Sequence, residues 1–489
     1  MRILKSRNLL FILIIIGVFA SCKKKDNFNT STDVKLSFST DNMLFDTVFS
    51  TIGSTTKYFV VKNTDSKKIK ISSISLATGN ASNFRMNIDG TPAVSLNDVE
   101  IAGNDSIYIF VKVTVDPQNS NSPMVVKDSI IFQINGNEQD VKLTAWGQDA
   151  HYIVADKVYG SSLKYKIVAG ENENITWPND KPYLIYGYAV VDSTATLNID
   201  AGARIHFYNA SGMWIYKGGN IKVNGTMADP VTFQGSRLDA DYKELPGQWD
   251  RIWINEGSKD NVFNYAIIKN GFIGIQAETM QQSMGNQLTL TNTIIENMSG
   301  MGVFTKFYKI QAGNCVIGNC GVYAVCLTTG GDYDFRHCSI GNNWSYSTRN
   351  TPSLVIANYY DDYYSGVTYT GDLDKAYFGN CIVWGMQSEE VLPDSLAGAG
   401  LFNYKFENCI LKTELSLTDP AHFVNCHVND PLFKDASNND YRLSPGSYAI
   451  DIGTMSVINT STLSLITDIL GNNRAVNPPP DLGAYDYVP

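Results

Sequence analysis

Downstream of its N-terminal segment, the 489-residue chain has no long stretch with amphipathic helical periodicity, which removes helical folds from consideration. Basic residues are in short supply. Lys and Arg number 38 against 48 Asp and Glu, for a formal charge of −10, and no Lys/Arg cluster marks the second half. That balance argues against nucleic acid and against a generally polyanionic ligand. Cysteine is too sparse and too irregular for zinc, which needs paired thiolates at short spacing with further ligands converging. Neither Cys315 with Cys320 nor Cys320 with Cys326 supplies that pattern. Seven cysteines lie between 315 and 426, and an odd count is a poor disulfide framework. His206, His337, His422 and His427 show no nucleophile-relay spacing. The apolar run Leu9–Phe19 is shorter than the about 20 residues of a membrane span.

What is abundant is glycine (39), tyrosine (27), asparagine and threonine, the makings of an extended, turn-rich β protein. One phrase recurs: Asn or His, then Cys, then apolar positions. It stands at Asn314-Cys315-Val316-Ile317, His337-Cys338-Ser339-Ile340, Asn380-Cys381-Ile382-Val383, Asn408-Cys409-Ile410-Leu411 and Asn425-Cys426-His427-Val428. Asn264-Tyr265-Ala266-Ile267 and Asn292-Thr293-Ile294-Ile295 have the same shape without the thiol. The starts are 28, 22, 23, 43, 28 and 17 residues apart, a period near 22 with one double step. Short strands and polar turns at this period are what a solenoid of β-coils requires, because one coil cannot bury its own apolar face. Asn suits a tight left-handed bend, and Cys is a small hydrophobe for the interior just past it. The cysteines therefore read as stacked buried thiols.

The Asn-Cys-x-Ile cadence resembles right-handed parallel β-helix proteins over roughly residues 180 to 450. Val18-Phe19-Ala20-Ser21-Cys22, after Arg2, Lys5, Arg7 and the apolar run, resembles a lipobox of the Bacteroidetes, implying lipid on Cys22 and attachment to the outer membrane. Lys23-Lys24-Lys25-Asp26 departs from the acidic run usual in surface-exported members, so both the cell surface and the periplasmic side stay open. From Val34, strands are expected at Lys35–Ser39, Tyr58–Lys62, Ile69–Leu76, Ile107–Val115, Ser129–Ile134 and Val141–Ala145, which suggests a β-sandwich. Leu44-Phe45-Asp46-Thr47-Val48-Phe49, Val60-Val61-Lys62-Asn63 and Leu143-Thr144-Ala145-Trp146-Gly147 resemble immunoglobulin-like domains of the Hydin type, which act as spacers or interaction modules. Asp440-Tyr441-Arg442-Leu443-Ser444-Pro445-Gly446, Ala449-Ile450-Asp451-Ile452-Gly453 and Asp481-Leu482-Gly483-Ala484-Tyr485 resemble the C-terminal module of secreted β-helices of the choice-of-anchor group, with the role of covering the last coil.

The expected organisation is all-β. A signal peptide (1–21) and tether (22–33) precede an immunoglobulin-like sandwich (34–148). A junction that caps the first coil (149–182), a right-handed parallel β-helix (183–429) and a C-terminal capping module (430–489) follow. Chemistry on such a scaffold sits along one flank, between inserted loops. Tyr359-Tyr360-Asp361-Asp362-Tyr363-Tyr364 falls in the long step after His337, where an insertion is expected. Its tyrosines offer flat faces for sugar rings and its acids could hold hydroxyls or Ca2+. Asp332 with Asp334, and Asp372 with Asp374, are further acidic clusters; Asp332 and Asp334 also read as outward positions of a strand, and Asp361-Asp362 as a solvated loop tip. Trp249 and Trp253 read as packing residues, with sugar stacking as the alternative. The signatures of polygalacturonase-type hydrolases (Gly-His-Gly, Arg-Ile-Lys) and of pectate lyases are missing. Asp46-Thr47-Val48, Asp105-Ser106-Ile107, Asp128-Ser129-Ile130, Asp192-Ser193-Thr194 and Asp394-Ser395-Leu396 resemble a Bacteroidetes O-glycosylation sequon. The leading expectation is a non-catalytic lipoprotein that binds a glycan or another surface ligand. A divergent polysaccharide lyase or glycosidase, and a structural part of an envelope protein assembly, are the alternatives.

Overall fold

The computed structural model describes residues 28–117, 121, 123–279, 287–363, 365–458, 463–476 and 479–489. The chain divides into two compact units, Met1–Gln148 and Asp149–Pro489.

The first unit is a sandwich of two five-stranded sheets. One sheet runs, in spatial order, Leu36–Phe38, Lys57–Asn63, Ser106–Val113, Phe84–Ile88 and Thr91–Ala93. The other runs Asn42–Phe49, Asn137–Gln148, Met124–Ile134, Ile69–Leu76 and Ser95–Ile101. Strict alternation builds the core: in Ser106–Val113, Ile107, Ile109, Val111 and Val113 are buried while the residues between them face outward. Asn135 and Gly136, both at positive φ, close a two-residue hairpin between Ile134 and Asn137, the connection that Asn-Gly favours. All six expected strands are present. Four more escaped the pattern: Ser95–Ile101 is an exposed edge with only Ile101 buried, so its sequence hardly alternates.

The second unit is a three-faced β-helix, and the ladders between successive coils are all parallel. The first sheet runs from His151–Val154 to Ile410–Leu411. The second runs from Leu163–Ala169 to Val391–Asp394. The third runs from Asn174–Trp177 to Phe423–Val424. Inward side chains form one continuous apolar core, with Phe335, Phe378, Phe406 and Phe423 stacked 4.8–5.7 Å apart in successive coils.

Three expectations are corrected here. Residues 149–182 are not a separate cap before the coils. They already supply a strand to each of the three sheets, so the solenoid starts at His151, and its missing Asn-Cys phrase concealed it. The 43-residue step is one coil, not two, because Ser339–Asn342 pairs directly with Ile382–Gly385. Its extra length holds the hairpin Tyr359–Asp362/Val367–Thr370. The C-terminal segment, finally, does not simply cover the last coil. It lies along the outside of the first sheet, where Tyr441 and Ile469 pack on Val316, and Leu443 and Leu482 pack on Ile382 and Ile410.

The recurring phrase marks the corner between the third and first sheets. Asn292, Asn314, His337, Asn380, Asn408 and Asn425 all have φ between 49° and 52°. The amides form a column: Asn314 Nδ2 donates to Asn292 Oδ1 (3.0 Å), and Asn380 Nδ2 lies 2.9 Å from His337 Nε2. In the earlier coil the slot belongs to Tyr265 (φ 46°) rather than Asn264, since Asn264 pairs with Thr291, one residue before Asn292. The column also docks the C-terminal segment. Asn314, Asn380 and Asn408 donate to the carbonyls of Thr467, Thr454 and Ile452, and the buried Arg474 reaches Asn314 Oδ1 (3.2 Å). Just inside the corner Cys315, Cys338, Cys381, Cys409 and Cys426 stack as free thiols.

Candidate functional site

On the outer face of the second sheet, alternation turns one residue in two away from the core. Many of these are covered by an outer apolar layer: Tyr188, Val190 and Trp214 (5% exposed) cluster with Leu163, Tyr165, Tyr216 and Trp253 packed on them. Met213-Trp214-Ile215 and Ile252-Trp253-Ile254 are paired in register, so the two indoles lie one above the other. Their ring centroids are 5.2 Å apart with planes 13° from parallel. Tyr216 and Tyr159 meet Trp214 edge-on at 5.2 and 5.5 Å. These rings wall an open cleft of about 630 Å³, whose polar lining includes Asn255, Glu256, Glu278, Lys306 and Asp362.

Glu278 is fixed in place. Its Oε1 accepts from Trp253 Nε1 (2.7 Å) and Asn255 Nδ2 (3.5 Å), and its Oε2 accepts from Gln276 Nε2 (3.1 Å). A carboxylate has about four acceptor positions, so Glu278 keeps capacity for a hydroxyl donor in the cleft. Trp214 donates in turn to Asn255 Oδ1, tying the two indoles to one carboxylate through an amide. Lys306 sits beside Glu278 in register, its Nζ 4.1 Å from the centre of the Tyr360 ring. Glu256 is neutralised by Lys217 at 2.8 Å.

The hairpin inserted after Ala357 closes one side, with Asp362, Tyr369 and Thr370 on the cleft. It is rooted on an exterior apolar cluster of Ile273, Phe304, Cys326, Val355 and Ala357. The six expected contact residues therefore separate. Tyr359 is a strut: its hydroxyl donates to Asp394 Oδ2 (2.6 Å), and that bond, with burial, pushes its pKa up to about 12. Tyr360 packs on Phe304 (5.7 Å) beneath Lys306. Asp361 accepts from Thr368 Oγ1 (2.6 Å) and steadies the hairpin. Asp362 faces the cleft, and Tyr363, 92% exposed, projects into solvent. Tyr364 lies outside the described residues, as does Cys22. No group of three or more His, Cys, Asp or Glu able to hold a metal ion occurs among the described residues.

The tryptophans that sequence reading grouped together have different roles. Trp249 is interior, stacked on Phe207 (4.4 Å) and bonded to the Lys269 carbonyl (2.8 Å). Trp253 faces the cleft. Trp214, Glu278 and Lys306 were missed. The signal for Trp214 was the triplet Met213-Trp214-Ile215, repeated as Ile252-Trp253-Ile254 and legible only once the coil register is known; Glu278 and Lys306 carried no sequence signal of their own.

The remaining acidic clusters belong to the third sheet. Asp332 is bridged by Lys309 (2.7 Å) and Lys375 (3.6 Å), and Asp334 by Arg336 (2.7 Å) and Lys375 (2.9 Å). Despite burial, the cations hold the Asp334 carboxyl below its ordinary value. Asp372 accepts from the Leu401 amide (2.7 Å). Asp332 and Asp334 are thus satisfied by cations of the sheet, whereas burial and the neighbouring carboxylates of Asp372 and Asp332 raise the Asp374 pKa. His337 is the corner residue described above, whereas His427 lies two positions past its corner, beside Tyr448.

Among solved structures, the catalytic unit of a thermostable GH87 α-1,3-glucanase from Streptomyces thermodiastaticus is 10% identical, covering 76% of this chain and 88% of that one at a TM-score of 0.21. The PapD-like domain 7 of human CEP192 is 8% identical over 26% of this chain and 92% of that one, at a TM-score of 0.17. A family 123 glycoside hydrolase from Clostridium perfringens is 9% identical over 24% of this chain (TM-score 0.18), and the match spans 27% of that protein. No curated protein matches. Residues 170–262, the early coils that carry Trp214 and Trp253, match the family model of a pectate-lyase-like β-helix domain.

Proposed function

We propose that the cleft on the second sheet binds a neutral polysaccharide, without catalysis, and that the protein is an outer-membrane lipoprotein tethered through Cys22. The observation that carries this reading is the partly exposed Trp253, backed by the buried Trp214 and bonded to Glu278, with the exposed Tyr159 on the same cleft. Sugar rings stack their apolar faces on accessible aromatic rings, here Tyr159 and the open part of Trp253, and fixed carboxylates accept from the hydroxyls at their rims. Three carboxylates (Glu256, Glu278, Asp362) against two cations (Lys217, Lys306) leave the cleft a small acidic excess, which favours an uncharged chain over a polyanion. The Hydin-like sandwich is then a spacer between lipid and solenoid. A second reading is a divergent glycosidase, favoured by the presence of Asp362 and Glu278 on one cleft, since glycoside hydrolysis uses two carboxylates.

The test is a panel of neutral polysaccharides incubated with the full chain in detergent, with and without Ca2+, scoring both retention and released reducing or unsaturated ends. Retention without products, weakened at least tenfold by Trp253→Ala, is the expected result. Products that vanish with Glu278→Gln or Asp362→Asn establish the enzyme instead. Absence of both, with capture of an envelope protein, moves the assignment to a structural role.

A further inference from the structure

The sandwich presents a second surface of different character. On the outer side of its first sheet, Tyr58, Tyr108 and Phe110 are 60%, 46% and 38% exposed, and they touch one another with centroids 5.7–6.2 Å apart. In register, Tyr58 lies opposite Phe110, with Tyr108 one outward position further along the same strand. Cations stand at both ends of this aromatic strip. Lys62 lies opposite Ser106 at one end, and at the other Lys112 lies directly opposite Arg85. All three are exposed, and none has a carboxylate within ion-pair distance among the described residues. Among the described residues Arg85 bonds to the carbonyls of Ser82 and Phe84. Elsewhere in this unit Lys57, Lys68, Lys70 and Lys142 are each paired with an acid, whereas Lys35, Lys67 and Lys127 also lack an ion pair among the described residues. It is the position of Lys62, Lys112 and Arg85 at the ends of the aromatic strip that sets them apart. The acids nearest along these strands, Asp89 and Asp105, sit in the turns at their ends.

Two like charges directly opposed across a ladder cost stability, and three exposed rings forgo burial. From Ser106 to Lys112 the strip is about 20 Å long. We infer that this face binds an acidic polysaccharide, its rings stacking on the aromatic strip and its carboxylate or sulfate groups meeting Lys62, Lys112 and Arg85. The net charge of −10 does not oppose this, because screening confines each charge to about 8 Å at physiological salt. The inference is independent of the cleft, which is on the other unit and carries acidic groups.

The experiment uses the full chain in detergent with Trp253→Ala, which disables the cleft, on immobilised alginate and chondroitin sulfate, with carboxyl-reduced alginate as the neutral control. Retention by an acidic polymer and not by the reduced one is expected, weakening steeply with salt. Lys62→Glu with Lys112→Glu should lower it at least tenfold, as should Tyr58→Ala with Phe110→Ala, with circular dichroism unchanged. Equal retention of the neutral polymer, no retention on either acidic polymer, or indifference to the charge reversal overturns the inference. Binding only to phosphatidylglycerol vesicles overturns it in favour of a membrane-facing surface.

Discussion

At the residue scale, the corner slot shows how one dihedral requirement selects side chains. A position held near φ 50° favours Asn, and from Asn292 to Asn425 His337 is the one departure in the column, Tyr265 holding the slot in the coil before. His337 is fully buried, and burial first, then the neighbouring Arg474 charge, holds its pKa well below the ordinary imidazole value. Burial likewise pulls His206, against the Gly235 carbonyl, down to about 4. The folded protein keeps both rings neutral while the unfolded chain protonates them. Their contribution is therefore complete above about pH 6.5 and is lost as the pH falls toward the folded values. For His206 the loss is about 3 kcal/mol between pH 6.5 and 4. Denaturant titrations at pH 7 and pH 4.5 should show this fall in the wild type. His337→Asn, which restores the column's residue, should fold normally and lose less stability on acidification; an identical pH dependence would contradict the account.

At the scale of elements, the C-terminal segment is held by close approach as well as by the asparagine column. The Tyr441 ring lies on Gly318 and Gly341, and a Cβ at Gly341 would stand 2.1 Å from its Cε1. Tyr441 also donates to the Gly341 carbonyl (2.9 Å). Gly341→Ala should therefore destabilise the second unit by about 1–3 kcal/mol in chemical denaturation. In a Tyr441→Ala background the same substitution should cost almost nothing. Additive losses would show that the segment does not rest there. The sequence suggested a capping module here by resemblance and did not foresee the segment's placement along the first sheet. The motif Asp440-Tyr441-Arg442-Leu443 declares a turn and strand, while the glycines that receive Tyr441 lie 100 and more residues earlier and differ from other glycines only through the coil register. The repeat phrase, in contrast, was fully legible in the later coils, because a left-handed corner and a small interior residue constrain letters strongly. Where Tyr265 takes the slot, the nearby Asn264 misled by one position.

For the whole molecule, the solenoid turns chain register into a surface. Residues 39 apart, Trp214 and Trp253, become one wall because their coils are neighbours, and Asp362 joins them because one coil carries an inserted hairpin. Sequence reading expected an insertion here, through its tyrosines and acids, and weighed Trp253 for sugar stacking, but it did not foresee the hairpin or the pairing of Trp253 with Trp214. An isolated Trp in a strand carries no mark of facing outward until inward and outward positions are known. The account's central claim, that this wall and hairpin form a neutral-glycan cleft, is tested most directly by amide hydrogen exchange of the full chain with and without the polysaccharide it retains. Added protection should concentrate in Arg204–Ile215, Arg251–Ile254, Ile273–Glu278 and the strands Tyr359–Asp362 and Val367–Thr370, and should disappear with Trp253→Ala. Protection confined to the ion-paired third sheet, or unchanged by that substitution, would contradict the assignment.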